Sequence, residues 1–290
     1  MATLKEIRGR IRAAKNIQQI TKAMKLVAAA RLKKATDRVL EARPYSEKMR
    51  DLMSSLSAAG DLPAHPLMEK REIRRVALIL VTSDRGLAGG YNTALIRKAQ
   101  DFVRDAGRDA GHDATLITIG KKGNLFFSKR GYSVSHNIQV PSSGARLEDA
   151  IEVARRARQM YESGEVDAIY VCYSKFYSAI RQVPQIVQLL PIEAPAATDD
   201  AAVKSEYEFE PDPAGLLDTL LPRYFLTLVQ QAMFEATASE FGARMTAMTS
   251  ATDNATKMIQ TLTLRANRER QAAITKEILE VVGGAEALKS

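Results

Sequence analysis

Ser83-Asp84-Arg85-Gly86-Leu87-Ala88-Gly89-Gly90-Tyr91 follows a β-rich run and opens a helical one. At such a junction, backbone amides and the positive end of a helix dipole can hold a phosphate. The stretch lacks the Lys-Ser/Thr ending of a phosphate-cradling loop and the spacing of a dinucleotide fingerprint, and no acidic residue ends the next strand to take a ribose. It reads better as a tight strand-to-helix turn, with a nucleotide-binding α/β enzyme built on that turn as the alternative. His65, His112 and His136 stand far apart, without helical pairing or a carboxylate set beside them, so no metal site is expected. Glu206, Glu208 and Glu210 read as solvated rather than paired for acid/base work, and no serine occupies an elbow motif. No self-contained active site and no cofactor are expected.

The single cysteine, Cys172, excludes an internal disulfide and a thiolate metal cluster, and suits a reducing compartment. It reads as a small buried apolar residue. The first 50 residues carry 14 Lys or Arg against Glu6, Asp37, Glu41 and Glu47, which is +10 and leaves −2 for the rest of a chain of net charge +8. A basic face of this kind can neutralise phosphates, but aromatic residues to stack bases are absent there, so a nucleic-acid partner is not expected. It reads as a solvated coiled-coil flank, or as a belt meeting acidic loops of a protein partner. Met24, Met233, Met245, Met248 and Met258 recur at helical spacing as ordinary core, though methionine also suits surfaces that accept several partner conformations. The acids within the basic start, and the lack of an apolar h-region after it, favour mature structure over a transit segment.

These side chains need elements to place them. From Asp212 to Val282 the apolar residues Leu217, Leu221, Tyr224, Leu228, Met245, Met248, Ala255, Ile259 and Leu262 step by threes and fours. Asp212 and Pro213 suit a helix start, and Gly283 with Gly284 suits its end. A helix of about seventy residues would span roughly 100 Å, more than a compact core can cover, so it needs a second long helix beside it. The N-terminus supplies one. Thr3 and Glu6 have capping-box spacing, and Leu4, Ile7, Ile11, Ala14, Thr21, Ala28, Leu32, Ala35, Val39 and Ala42 follow. Ala232, Ala236, Ala243, Ala247 and Ala251 are similarly small on the other side, which allows close helix axes. Pro44 is expected to kink or interrupt the first helix, and Pro222 raises the same question in the second. Turn residues from Ala59 to Pro66 should end the first helix.

Between the helices the period changes. Strands are predicted at Val76 to Thr82, Thr115 to Ile119, Val134 to Val140, Ala168 to Tyr173 and Ile186 to Leu190, with helices at Tyr91 to Asp105, Asn124 to Lys129 and Leu147 to Glu162. The fold class that follows is a Rossmann-like α/β domain with a mostly parallel sheet, inserted into a long antiparallel two-helix coiled coil. The divisions are 1–60 for the N-terminal coiled-coil helix, 70–195 for the α/β domain, 196–211 for a connector and 212–290 for the C-terminal helix. The apolar run from Val76 to Val81 falls far short of the roughly twenty residues of a membrane span.

The tail Ile274-Thr275-Lys276-Glu277-Ile278-Leu279-Glu280-Val281-Val282-Gly283-Gly284-Ala285-Glu286-Ala287 resembles the C-terminal signature of the γ subunits of F-type ATP synthases. Ile17 to Ala29, the turn from Ser83 to Gly89, and Glu210-Pro211-Asp212-Pro213 agree with the same family, so the resemblance covers essentially the whole chain. Ala88 departs from the Cys that many members carry in that turn, and the cysteine-bearing insertion of plant-type members is absent. The resemblance implies a non-catalytic rotor shaft, standing inside a hexamer of α and β subunits and docked on the membrane c-ring that protons drive. It implies catalysis on the β subunits, an ε subunit at the base, and a bacterial protein peripheral at the cytoplasmic face of the inner membrane, attached through the complex alone. Residue by residue, it implies β-subunit contacts at Lys22, Met24 and Lys25 and, from the second helix, at Arg244, Arg270, Gln271, Thr275 and Glu277. It implies an apolar sleeve around Ile278 to Val282, and a foot of Tyr207, Phe209 and Glu210 against the ring and the ε subunit.

Overall fold

A computed structural model describes residues 3–58, 65–109, 113–193 and 213–287. In chain order the elements are α1 (Leu4–Ala58), a 3-10 turn (Pro66–Met68), β1 (Arg75–Val81), α2 (Tyr91–Asp109), β2 (Asp113–Ile119), α3 (Lys121–Ser128), β3 (Val134–Ile138), α4 (Leu147–Glu162), β4 (Ala168–Ser178), β5 (Arg181–Leu190) and α5 (Pro213–Ala287). They form two compact units, Met1–Val27 with Met245–Ser290, and Ala28–Arg244. Both long helices contribute to both units.

In the larger unit the five strands lie in the order β3-β2-β1-β4-β5. β1 runs parallel to β2 and β4, β2 runs parallel to β3, and β5 returns antiparallel to β4. The central strand is buried on both faces, which is why it reads as an unbroken apolar run. Ala77, Ile79 and Val81 meet α4 residues such as Val153, Ala157 and Met160, together with Met49 and Met53 of α1 and Leu217 to Ala236 of α5. Leu78 and Leu80 face the other way, onto Leu95 and Ala99 of α2 and Phe127 of α3. α5 is buried all round from Ala236 to Phe241 apart from Glu240, because it lies amid this packing, and its composition there is small or apolar to match.

The smaller unit is an antiparallel helix pair. Gln18 Nε2 donates to Thr256 Oγ1 at 2.7 Å, and the hydroxyls of Thr21 and Thr252 lie 2.8 Å apart. Ile7, Ala14 and Thr21 are buried on α1, one every seventh residue, and Met248 and Ala255 are buried on α5. Ala28 and Ala35 of the larger unit fall on the same seven-residue step, and Met49 lies two steps further on. A 3.5-residue period of this kind keeps one seam facing its partner. The capping box forms, with Thr3 N donating to Glu6 Oε2 at 3.0 Å and Glu6 N to Thr3 Oγ1 at 3.3 Å. From 270 to 284 every residue of α5 is exposed, so this stretch has no packing partner among the described residues.

Four expectations shift. α1 runs uninterrupted through Pro44, and α5 through Pro222. Pro44 is exposed and Leu40, four residues earlier, is 52% exposed, so the carbonyl that loses its donor sits on the solvent side while Val39, Ser46 and Met49 hold the adjoining turns. α5 continues past Gly283 and Gly284 to Ala287, since glycine weakens a helix by only about 1 kcal/mol and Ala285-Glu286-Ala287 favour it. β4 and β5 extend further than expected and pair as a hairpin from Ile169↔Leu190 to Ser178↔Arg181. Asp212, the expected cap of α5, lies outside the described residues.

Candidate functional site

The Ser83–Tyr91 turn leaves the carboxyl end of the central strand and closes on itself. Leu87 and Gly89 have φ of 65° and 55°, which lets the chain double back within a few residues. Ser83 N donates to Asn92 Oδ1 at 3.0 Å, Ser83 Oγ to the Arg85 carbonyl at 2.6 Å, and Asp84 Oδ1 accepts from the Lys121 amide at 2.8 Å. The neighbouring strand end must come close, and Gly120 permits it. A Cβ there would stand 2.2 Å from the Thr82 carbonyl oxygen, at a φ of 88°. Tyr91 is buried, and its phenol donates to the Ala236 carbonyl of α5 at 3.1 Å. Burial pushes that phenol well above its ordinary range, so it is no acid or base at neutral pH. These side chains are spent on the fold, which supports a tight turn and not a phosphate cradle.

α5 passes this carboxyl edge between residues 236 and 244, and several elements converge on it. Ser239 Oγ donates to the Ser174 carbonyl of β4 at 2.8 Å. A Cβ on Gly242 would lie 3.1 Å from Gln182 Nε2 and 3.3 Å from the Ala179 carbonyl oxygen, so the β4–β5 hairpin sits against the helix backbone. From α1, Arg31 stands 5.8 Å over the Phe241 ring and donates to the Ser142 carbonyl at 2.6 Å. Arg244 pairs with Glu240 at 2.7 Å, with side chains 11% and 20% exposed, and also donates to the Gly86 carbonyl at 3.4 Å. Burial raises the Glu240 carboxyl above its ordinary range, with Arg244 opposing. Sequence reasoning singled out Arg244 and the turn separately. It missed Glu240, Ser239, Gly242 and Arg31, for which the only signals were the four-residue Glu240–Arg244 spacing and a glycine inside a helical run.

The other predicted contact residues lie in the smaller unit. Lys22 is exposed, and Met24 and Lys25 are partly exposed, on one stretch of α1 beside exposed Ile17 (53%) and Ile20 (59%). Arg270, Gln271, Thr275, Glu277, Ile278 and Val282 all fall on the unpartnered end of α5, where Ile278 is 57% and Val282 54% exposed. The two groups are therefore separate patches on a helix pair, not one constellation. Thr275 Oγ1 donates back to the Gln271 carbonyl at 3.0 Å, and Lys276 pairs with Glu280 at 3.6 Å. Tyr207, Phe209 and Glu210 lie outside the described residues, as do Glu206, Glu208 and His112.

The remaining candidates are structural. Cys172 is buried, and burial pushes its thiol up to about 12. His65 caps the 3-10 turn, and His136 lies 3.3 Å from Glu152. No group of three or more His, Cys, Asp or Glu able to hold a metal occurs among the described residues. An open groove of the larger unit is lined by Arg38, Glu41, Arg146, Glu148, Gln230 and Phe234, mixing both charge signs without a nucleophile or a matched acid and base. No described helix is long and apolar enough to cross a membrane.

A family model described as ATP synthase matches residues 3–288. The chain is 46% identical to the ATP synthase gamma chain of Heliobacterium modesticaldum, over 99% of this chain and 100% of that one. It is 44% identical to the ATP synthase gamma chain of Brevibacillus brevis, over 98% of each. Among solved structures, its fold is similar to a chain of the Euglena gracilis mitochondrial ATP synthase OSCP/F1/c-ring, with a TM-score of 0.68 and 19% identity over 98% of this chain and 94% of that one. A chain of the Tetrahymena thermophila mitochondrial ATP synthase central stalk and c-ring gives a TM-score of 0.60 and 24% identity over 80% of this chain and 99% of that one. With a family model spanning nearly every residue and near-half identity along its full length, the chain belongs to the family of ATP synthase gamma chains.

Proposed function

We propose that this chain is the central rotor shaft of an F-type ATP synthase, coupling proton flow through a membrane c-ring to ATP synthesis and hydrolysis on catalytic β subunits. It is not itself an enzyme and needs no cofactor. The shaft stands within a hexamer of α and β subunits, with the ε subunit and the c-ring at its foot, and it joins the membrane only through that complex, peripherally, at the cytoplasmic face of the bacterial inner membrane. Lys22, Met24 and Lys25, with Arg244, Arg270, Gln271, Thr275 and Glu277 of α5, are the residues that meet the β subunits. Ile278 to Val282 turn within an apolar sleeve, where weakly directional contacts oppose rotation little. Tyr207, Phe209 and Glu210 form the foot. As the shaft turns, each catalytic site meets a different face, and the difference in contact free energy between faces shifts that site between open and closed states.

The observation that carries this reading is the pairing of the first and last helices, with Gln18 against Thr256 and Thr21 against Thr252, in a protein whose α/β domain spends its polar turn on its own fold. A helix pair resists twisting only while its seam is continuous. Ala28 is 1% exposed, seven residues on from buried Thr21 along α1. Replacing it by proline removes an internal hydrogen bond and drives a ring into the preceding turn, a cost of about 3 kcal/mol. In membrane vesicles bearing the assembled enzyme, Ala28→Pro is expected to hydrolyse ATP while pumping few protons per ATP. Pumping at the normal ratio would count against the shaft.

A further inference from the structure

We propose that Arg244, held by Glu240, is a positioning residue that latches the Ser83–Tyr91 turn onto α5 and so fixes where the exposed tip residue Leu87 is presented. The inference rests on the reading of the chain as a shaft, and it gives Arg244 a route of action through the turn.

The turn is pinned at its ends and at Ala88, which is 2% exposed in the core with Tyr91 and Leu95, while Gly86 and Leu87 stand clear of that packing. Ser83 and Asp84 are tied to Asn92 and to the Lys121 amide, and Tyr91 is tied to the Ala236 carbonyl. A Cβ placed on Gly86 or Gly90 would meet nothing within 4 Å, so packing does not restrain the backbone there. On the α2 side of Leu87 the Tyr91 amide donates to the Ala88 carbonyl at 3.2 Å, and on the strand side Arg244 donates to the Gly86 carbonyl at 3.4 Å. The next residue is Leu87, 61% exposed and at a φ of 65°. A leucine side chain gains nothing from water and resists that backbone conformation, so a tip of this kind persists only where its surroundings hold it.

Arg244 is built to hold it. Its side chain is 11% exposed, with the guanidinium bonded to Glu240 at 2.7 Å and set 5.7 Å from the centre of the Phe241 ring, whose other cation is Arg31 at 5.8 Å. Glu240 and the ring fix the plane of the guanidinium, and Nη2, which meets Glu240, also donates to the turn. A lysine at this position has no planar group for the ring and Glu240 to orient. The latch therefore depends on arginine and not merely on positive charge.

The test separates the ion pair from the latch. Cys172 is fully buried, so a Leu87→Cys variant of the full chain takes a nitroxide label at a single accessible site. Arg244→Gln is expected to raise the mobile fraction of that label about tenfold, the effect of losing a charge-assisted bond. In the assembled enzyme it should also lower the protons pumped per ATP hydrolysed. The double exchange Glu240→Arg with Arg244→Glu keeps an ion pair but turns a carboxylate toward the Gly86 carbonyl. It should regain the thermal midpoint lost in Glu240→Gln while the label stays mobile. An unchanged label in Arg244→Gln, or a label restrained again by the exchange, overturns the latch and leaves the shaft standing. A mobilised label with normal pumping overturns its role in coupling. Failure of the native chain to copurify with the catalytic hexamer overturns the shaft reading, and the latch with it.

Discussion

His65 shows how one side chain joins two elements and gives the fold a pH dependence. Its Nδ1 accepts from the Leu67 amide at 3.0 Å and caps the 3-10 turn, while Nε2 lies 3.5 Å from Asp218 of α5. Burial lowers its pKa below the ordinary 6.5, with the Asp218 and Glu162 carboxylates opposing. Nδ1 can accept only while unprotonated, so the folded state prefers the neutral ring. A depressed folded pKa means that the unfolded chain binds more protons, so this contribution is complete above about pH 6.5 and is lost as the pH falls through the folded value. Melts of the full chain between pH 7.5 and 5.5 should show a larger fall in midpoint for the native protein than for His65→Asn. Equal falls would place the titration elsewhere. At this scale the sequence disclosed what depends on short spacing, such as the Thr3–Glu6 capping box and the turn after β1. It hid the pairing of Glu240 with Arg244 because four-residue ion pairs are common on solvated helix faces, where they contribute little. Only tertiary packing buries this pair.

At the level of elements, periodicity was the strongest guide, and it failed where a local rule met a tertiary one. The α1 stripe was legible because Ile7, Ala14, Thr21, Ala28 and Ala35 repeat every seventh residue. α4 was legible because its apolar face stays in step from Leu147 to Glu162. The first half of β5 was not, since Arg181-Gln182-Val183-Pro184-Gln185 carries a proline and little apolar content. Those features suit an edge strand, and β5 is one. Pro44 is the clearest conflict. The local rule predicts a break, yet the buried turns on either side keep α1 intact and the fold bears the cost. Pro44→Ala should therefore stabilise the full chain, by about 1 to 3 kcal/mol once the greater freedom of the unfolded chain is allowed for. Urea unfolding measures this directly. A neutral or destabilising result would mean that the helix gains no bond there. The contrast with Ala28 is physical, since Pro44 is exposed whereas a proline ring at Ala28 would have to fit a position that is 1% exposed.

For the whole molecule, the recognisable tail told more about function than any arrangement of side chains, because a coupling protein acts through faces that take their meaning from partners. The clearest such face is the end of α5. From 270 to 284 it is exposed throughout, with Ile274, Ile278, Leu279, Val281 and Val282 between 48% and 72% exposed. An unpaired helix of this length is marginal in water, because it must offset its backbone entropy without burying apolar area. In the isolated chain, amide exchange should therefore be fast from about 271 to 287 and slow where α5 is paired, around Met248 and Ala255. Inside the assembled enzyme the tail should become protected, since a sleeve that covers those apolar side chains also suppresses fraying. The two measurements divide the possible failures cleanly. Strong protection of the tail in the isolated chain would show that it does not need a partner. Rapid exchange that persists in the assembled enzyme would show that no partner encloses it, and the proposed sleeve around Ile278 to Val282 would have to be abandoned.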